Sequence, residues 1–303
     1  MRSGQVVSPV PGSAFAWWLA ARPWSFTISL APVLAGTSLA RLDGYGAHIG
    51  LAAIALLACA LIHAGTNLQN DVGDFRRGAD GAGRIGPRRA TTEGWLSPAQ
   101  VQAAATLCFA AAFIPGSYLV MKGGWPVVAI GLASVAAGAI YTAGPRPVAY
   151  SGLGEAFVFV FFGLVAVGGM YYLQSGALGA APLIAGATLG SLAAAVLVVN
   201  NLRDIDSDRR IGKNTLAVRC GRRFTVTEYA LLMHLPFALQ IALALHAGAI
   251  GLLAPLALLP WATRLTLKVR REPAGEWLNG ALAATAKLGL AFALLLSLGA
   301  GLS

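Results

Sequence analysis

Six of the seven aspartates of this chain fall in two short stretches, N-L-Q-N-D-V-G-D-F-R-R-G-A-D from Asn67 to Asp80 and N-N-L-R-D-I-D-S-D-R-R-I-G-K from Asn200 to Lys213. Residues three and four apart share a helix face. If the helix before the first stretch runs on, His63, Asn67, Asp71 and Asp74 make one polar stripe. Asn200, Asp204 and Asp208 make another, with Asp206 pointing elsewhere. Two helix ends presenting stacked carboxylates to a shared space form a cradle for Mg2+, a hard cation that takes a few carboxylates plus phosphate oxygens. Basic residues complete the pattern: Arg76, Arg77, Arg84, Arg88 and Arg89 follow the first cluster, while Arg203, Arg209, Arg210 and Lys213 surround the second. Metal plus guanidinium is what a diphosphate needs in order to depart as a leaving group. The plainer reading is that both loops are solvated, pair internally and set topology. The match between the two loops favours a shared site.

These loops need elements that hold them on one side. The composition is 57% hydrophobic and 11% charged, with a mean hydropathy of +0.68, too few charges to cover a water-soluble surface. Apolar segments near 23–41, 48–69, 98–120, 125–142, 152–172, 180–201, 224–246, 248–267 and 278–301 predict an all-α polytopic membrane protein of about nine spans. One membrane-embedded domain is expected over 1–303, its Asp-rich loops near 70–97 and 202–223. An even number of spans separates the two loops, which places both on the same face, and the shared Asn-Leu start followed by Arg-Arg and Gly hints at a repeated two-span unit. Met1–Ala21 lacks the features of a signal peptide, and Trp17-Trp18 reads as an interfacial anchor. Ser97-Pro98-Ala99-Gln100 reads as a capping box that ends the first loop.

The 22 Lys and Arg are distributed asymmetrically. With a cytoplasmic N-terminus only Arg41 and Lys122 lie outside and Lys287 within a span, so the positive-inside rule puts both Asp-rich loops in the cytoplasm. The net charge of +10 is then a rim facing anionic lipid headgroups and an anionic substrate. No nucleic-acid recognition module is visible. Cys59, Cys108 and Cys220 predict neither a disulfide nor a thiolate metal site, and the four histidines lack ligand spacing. His63 reads as a hydrogen-bonded member of its stripe.

At N-D-V-G-D-F-R-R-G-A-D, R-I-G-P-R-R from Arg84, Y-T-A-G-P-R-P-V-A-Y-S-G-L-G-E from Tyr141 and N-N-L-R-D-I-D-S-D-R-R-I-G-K-N-T-L-A-V-R from Asn200, the sequence resembles the UbiA superfamily of intramembrane aromatic prenyltransferases. A-R-P from Ala21 and A-P-V-L-A-G from Ala31 extend the likeness across nearly the whole chain. The resemblance implies about nine helices ringing a cavity open to lipid, capped by the two loops, with two Mg2+ ions holding a diphosphate. It assigns Asn70, Asp71, Asp74, Asp204 and Asp208 to the metal. Substrate contacts are expected from Asn67, Asn70, Arg84, Arg88, Arg89, Arg203, Lys213, Tyr141, Tyr150 and Lys287. The motifs fit best the branch that moves a polyprenyl group from polyprenyl diphosphate to 1,4-dihydroxy-2-naphthoate, losing carbon dioxide and diphosphate to give demethylmenaquinone in the plasma (inner) membrane.

Other readings stay open. Homogentisate, 4-hydroxybenzoate or a tetrapyrrole are alternative acceptors, and a divalent-cation transporter is the reading from another class, although no acidic residue stands at mid-bilayer to continue a path. Tyr141, Tyr150 and the aromatic run from Phe157 serve either as walls that shield an allylic cation from water or as packing. Glu155 fits a functional acid or a helix cap, and Lys287 a functional cation or a snorkelling one. Asp80 and Asp206 have no assigned role.

Overall fold

The structure is a computed structural model that describes residues 8–79 and 85–303. Arg84 and Asp80 therefore lie outside the described residues. In a bilayer core every backbone N–H and C=O must find its partner inside the segment, which turns long apolar runs into helices. Eight helices are long and apolar enough to cross a membrane, and a ninth apolar helix is shorter. In chain order they are α1 (Ala14–Leu42), α2 (Ile49–Arg76), α3 (Pro98–Gly123), α4 (Trp125–Ile140), α5 (Gly154–Ser175), α6 (Ala180–Arg203), α7 (Leu216–Ala247), α8 (Ile250–Arg271) and α9 (Trp277–Leu302). The expected nine spans are thus present as helices, the fourth with only 16 residues. No strand occurs among the described residues.

Small residues set the packing. On α6, Ala185, Leu189, Leu192, Ala195, Val198 and Val199 are buried against α1, α7 and α9. The α5–α6 crossing is closer still: a Cβ on Gly190 would stand 2.5 Å from the carbonyl oxygen of Phe159, and one on Gly163 would stand 2.4 Å from that of Gly186. Backbones that approach this far in lipid gain dispersion contacts that larger side chains would forbid. Along this crossing α5 widens into a π-helical stretch, Phe159–Val165, a deviation found often at functional sites.

Two irregularities shape the Asp-rich end. Within α1, Arg22 adopts the left-handed conformation at φ 54°, the one non-glycine residue to do so among the described residues, and Pro23 follows it into a 3-10 turn. Ser25 in that turn and Ser29 in the first turn of the helix that follows come to face α2. The predicted capping box at Ser97 is formed, with Gln100 N donating to Ser97 Oγ and Ser97 N to Gln100 Oε1. Helices α1 to α6 and α9 surround one cavity of about 1150 Å3.

Candidate active site

The cavity is apolar through most of its depth, lined by Pro32, Val33, Ala55, Ala58, Ile62 and Val135 among others, and polar at the Asp-rich mouth. From α2 it receives His63, Asn67, Asn70 and Asp74, because that helix does run on to Arg76. His63 is hydrogen-bonded as its stripe requires: Nε2 stands 3.1 Å from Ser25 Oγ and Nδ1 2.7 Å from Ser29 Oγ, with Phe26 and Phe162 rings beside it. Asn67 donates to Ala21 O at 2.9 Å and Ser25 Oγ at 3.1 Å. Asn70 Oδ1 accepts from Thr142 Oγ1 at 2.9 Å.

The expected stripe divides at Asp71. Its carboxylate does not line the cavity; it is 1% exposed and accepts from Ala90 N at 3.1 Å, from Thr91 N at 3.3 Å and from Thr91 Oγ1. Asp71 therefore fastens the loop that carries Arg89, and both its oxygens are turned to that loop. Asp74, one turn on, is the carboxylate that reaches the cavity, where Arg89 Nη2 meets Oδ2 at 3.0 Å and Tyr150 donates its hydroxyl to Oδ1 at 3.1 Å. Arg88 is placed differently from the sequence reading. Its half-exposed guanidinium pairs with Glu93 and lies over the Trp95 ring, outside the cavity lining.

The second stripe is also broken, since α6 ends at Arg203 and Asp204 (φ −99°, ψ 9°) links it to a short helix, Ile205–Arg210. Arg203, 3% exposed, grips Asp204 through Nε at 2.8 Å and Nη2 at 2.6 Å, and also reaches Asn200 Oδ1 and Asn279 Oδ1. Lys213 Nζ stands 3.3 Å from Asp208 Oδ1 and 5.7 Å from the centre of the Tyr150 ring. Asp206 points away from the stripe, as expected, and in solvent pairs with Arg209.

Electrostatics tie the two stretches together. Burial pushes the Asp208 carboxyl up to about 6, against the pull of Lys213 and with help from Asp204 and Asp74. Burial works against the Lys213 charge too, yet Asp208, Asp74 and Asp204 together hold it above the usual lysine range. Burial and the adjacent Asp74 raise the Tyr150 hydroxyl well beyond an ordinary tyrosine. Thus Asp74 from the first stretch and Asp204 and Asp208 from the second act on the same groups.

Each of these carboxylates is met by a base, and among the described residues no trio of His, Cys, Asp or Glu stands within reach of one metal ion. The donor set nonetheless fits a hard cation: the oxygens are carboxylate and amide, and Asp208 Oδ2 is buried without a hydrogen-bond partner among the described residues. On the apolar side, Tyr141, Phe157 and Phe161 form a run of rings, 5.8 Å and 4.6 Å between centroids, all lining the cavity, while Tyr150 does not. Lys287 also lines it and is exposed there. Ser25, Ser29 and Asn279 belong to the site without any signal in the sequence pattern, since each is a lone polar residue in or beside an apolar helix, while Thr142 falls within the motif from Tyr141 but is not singled out there.

An apolar chamber inside a bundle of membrane helices, closed at one end by carboxylates and bases, is the architecture of an enzyme acting on a lipid with a charged head. A model of the UbiA prenyltransferase family matches residues 29–277, and the chain belongs to that family. The 1,4-dihydroxy-2-naphthoate octaprenyltransferase of Mycobacterium tuberculosis is 38% identical over 253 residues, covering 81% of this chain and 85% of its own. The enzyme of that name from Haemophilus influenzae is 35% identical over 241 residues, 75% of this chain and 78% of its own. Among solved structures, a UbiA homologue from Aeropyrum pernix superposes with a TM-score of 0.68 at 18% identity, over 92% of this chain and 96% of that one. A homologue from Archaeoglobus fulgidus bound to DMAPP and Mg2+ gives 0.66 at 17% identity, over 93% and 99%. At these identities the structural likeness establishes the fold.

Proposed function

We propose that the protein transfers a polyprenyl group from polyprenyl diphosphate to 1,4-dihydroxy-2-naphthoate, with loss of diphosphate and carbon dioxide, at a site that uses Mg2+. The observation that carries this reading is the convergence of Asp74, Arg89, Arg203 and Lys213 at the mouth of an apolar cavity, with Asp204 paired to Arg203 and Asp208 to Lys213. The relatives named 1,4-dihydroxy-2-naphthoate octaprenyltransferase support the choice of acceptor. Asn70, Asp74, Asp204 and Asp208 would hold the metal, which when bound neutralises the negative charge of the diphosphate. Arg89, Arg203 and Lys213 then exchange their carboxylate partners for phosphate oxygens, so each base is already charged and in place. Their charge–dipole environment is preorganised for negative charge that develops as the carbon–oxygen bond breaks.

Below the mouth, Tyr141, Phe157 and Phe161 offer π-faces to the allylic cation and exclude the water that would quench it. Lys287, on α9, is suited to the acceptor carboxylate. Both Asp-rich stretches face the cytoplasm in this reading, because the basic residues cluster on their side of the membrane. Purified protein incubated with Mg2+, octaprenyl diphosphate and dihydroxynaphthoate should yield the decarboxylated prenyl naphthol, detected by mass. Transfer to 4-hydroxybenzoate or homogentisate but not to dihydroxynaphthoate would reject the assigned acceptor, and no transfer to any hydroxyarene would reject the reaction.

A further inference from the structure

One buried acid on the cavity wall is not accounted for by the diphosphate site. Glu155, in the first turn of α5, is 5% exposed and lines the cavity. Its Oε1 accepts from Asn201 Nδ2 at 2.7 Å. Its Oε2 is buried and has no hydrogen-bond partner among the described residues. A buried carboxylate oxygen without a donor is costly to keep, more so when charged, so one retained on a residue that lines a ligand cavity can be satisfied by a donor from the ligand once the carboxylate turns to it. A helix cap would leave a different trace, since its carboxylate would accept from backbone N–H groups of the first turn, and among the described residues none donates to Glu155.

The surroundings indicate which donor. Asn201 neighbours Asn200 and Arg203 at the end of α6, and the ring of Tyr141 lies against that of Phe157 two residues beyond Glu155. Glu155 thus stands where the aromatic wall meets the charged mouth, the level at which a ring must lie to attack the carbon bonded to diphosphate. We propose that Glu155 is a catalytic residue that binds a hydroxyl of the aromatic acceptor through Oε2 and takes its proton; this rests on the prenyl-transfer reading above. As the O–H bond breaks, its proton passes to Oε2 and the oxygen becomes a ring carbonyl. The displaced ring pair forms the new carbon–carbon bond, and the prenyl C–O bond breaks with its electrons leaving on diphosphate. Loss of carbon dioxide from the same ring carbon returns a pair to the ring, and the oxygen recovers its proton from Glu155. The carboxylate ends as it began.

Among the described residues, Tyr141 from the end of α4 and Glu228 from α7 are coupled electrostatically to Glu155, and Arg219 of α7 lies against the adjoining Gly152. None of these has an oxygen or nitrogen bonded to Oε2.

The test compares wild type with Glu155→Gln and Glu155→Asp in transfer from octaprenyl diphosphate to dihydroxynaphthoate between pH 6.5 and 9.5. Thermal stabilisation by prenyl diphosphate with Mg2+ reports whether each variant folds and keeps its mouth intact. Glu155→Gln, which preserves the Asn201 contact, should lose about 100-fold in kcat near neutral pH, the scale of general-base catalysis. It should retain the diphosphate-dependent stabilisation. Its deficit should shrink as pH rises and the acceptor arrives already ionised, and Glu155→Asp should recover part of the rate. A kcat for Glu155→Gln within threefold of wild type, or a deficit that does not change with pH, would overturn the proposal and leave prenyl transfer standing. Absence of transfer by the wild type would overturn both.

Discussion

Removing the Asp71 carboxylate should loosen a loop before it disturbs a metal. In the folded protein that carboxylate accepts from two backbone N–H groups, Ala90 and Thr91, and from the Thr91 hydroxyl, all buried. Asp71→Ala strips these donors of their acceptor, and each buried N–H left unsatisfied costs roughly 1 to 2 kcal/mol, the lower part of the usual range because a loop can reopen to water. The two together weaken loop docking by roughly 2 to 4 kcal/mol, which speeds local opening by roughly 30- to 700-fold. Hydrogen exchange of peptides spanning 88–96, read by mass spectrometry in detergent, measures that opening directly. The expected result is fast exchange confined to this loop, with the Mg2+ concentration for half-maximal activity changed less than tenfold. Activity should still fall, because Arg89 is carried by the same loop. Asp71→Asn, which keeps one acceptor oxygen, should restore part of the protection. Unchanged exchange together with a large rise in the Mg2+ requirement would show that Asp71 acts as a metal ligand and that the latch is wrong.

Five further outcomes are expected. Lys213→Gln should raise the KM for prenyl diphosphate or lower kcat by the roughly 1 to 3 kcal/mol of a lost charge-assisted contact, about 5- to 150-fold in kcat/KM; equal kinetics would remove Lys213 from the site. Because the Asp208 carboxyl is raised to about 6, a cation must displace a proton below that pH, so the Mg2+ requirement should climb as pH falls from 7 to 5, by at most tenfold per unit. The sign for the metal-free fold is the reverse: the protonated carboxyl stabilises it at low pH, that contribution is lost as pH rises through 6, and Asp208→Asn should therefore raise Tm more at pH 8 than at pH 5. Gly190→Ala should cost about 1 to 3 kcal/mol of stability, since its methyl would meet the Phe159 carbonyl oxygen, and a Tm equal to wild type would contradict the close crossing. A single cysteine at Gly212 in a Cys-less background should react with an impermeant thiol reagent only from the cytoplasmic side, and labelling from outside would invert the orientation.

The membrane class, the helices and the pairing of the two Asp-rich stretches are legible in the amino-acid sequence because they depend on local properties. Long apolar runs have one solution in lipid, and carboxylates three or four residues apart share a face wherever the helix continues. That logic placed His63, Asn67 and Asp74 correctly along α2 and anticipated the capping box at Ser97. It could not separate Asp71 from Asp74, since both lie within reach of the same stripe. Only the packing of the following loop against α2 turned one carboxylate to backbone amides and left the other at the cavity. Arg88 and Arg89 are neighbours in sequence with the same charge, yet Trp95 and Glu93 hold one outside while Asp74 draws the other in. The interruption of the α6 helix before Asp204 was not legible either: the helix ends where Arg203 is clamped between Asn200, Asp204 and Asn279. Asn279 lies 76 residues further along the chain, and spacing carries no information about partners that only the closing of the bundle brings together.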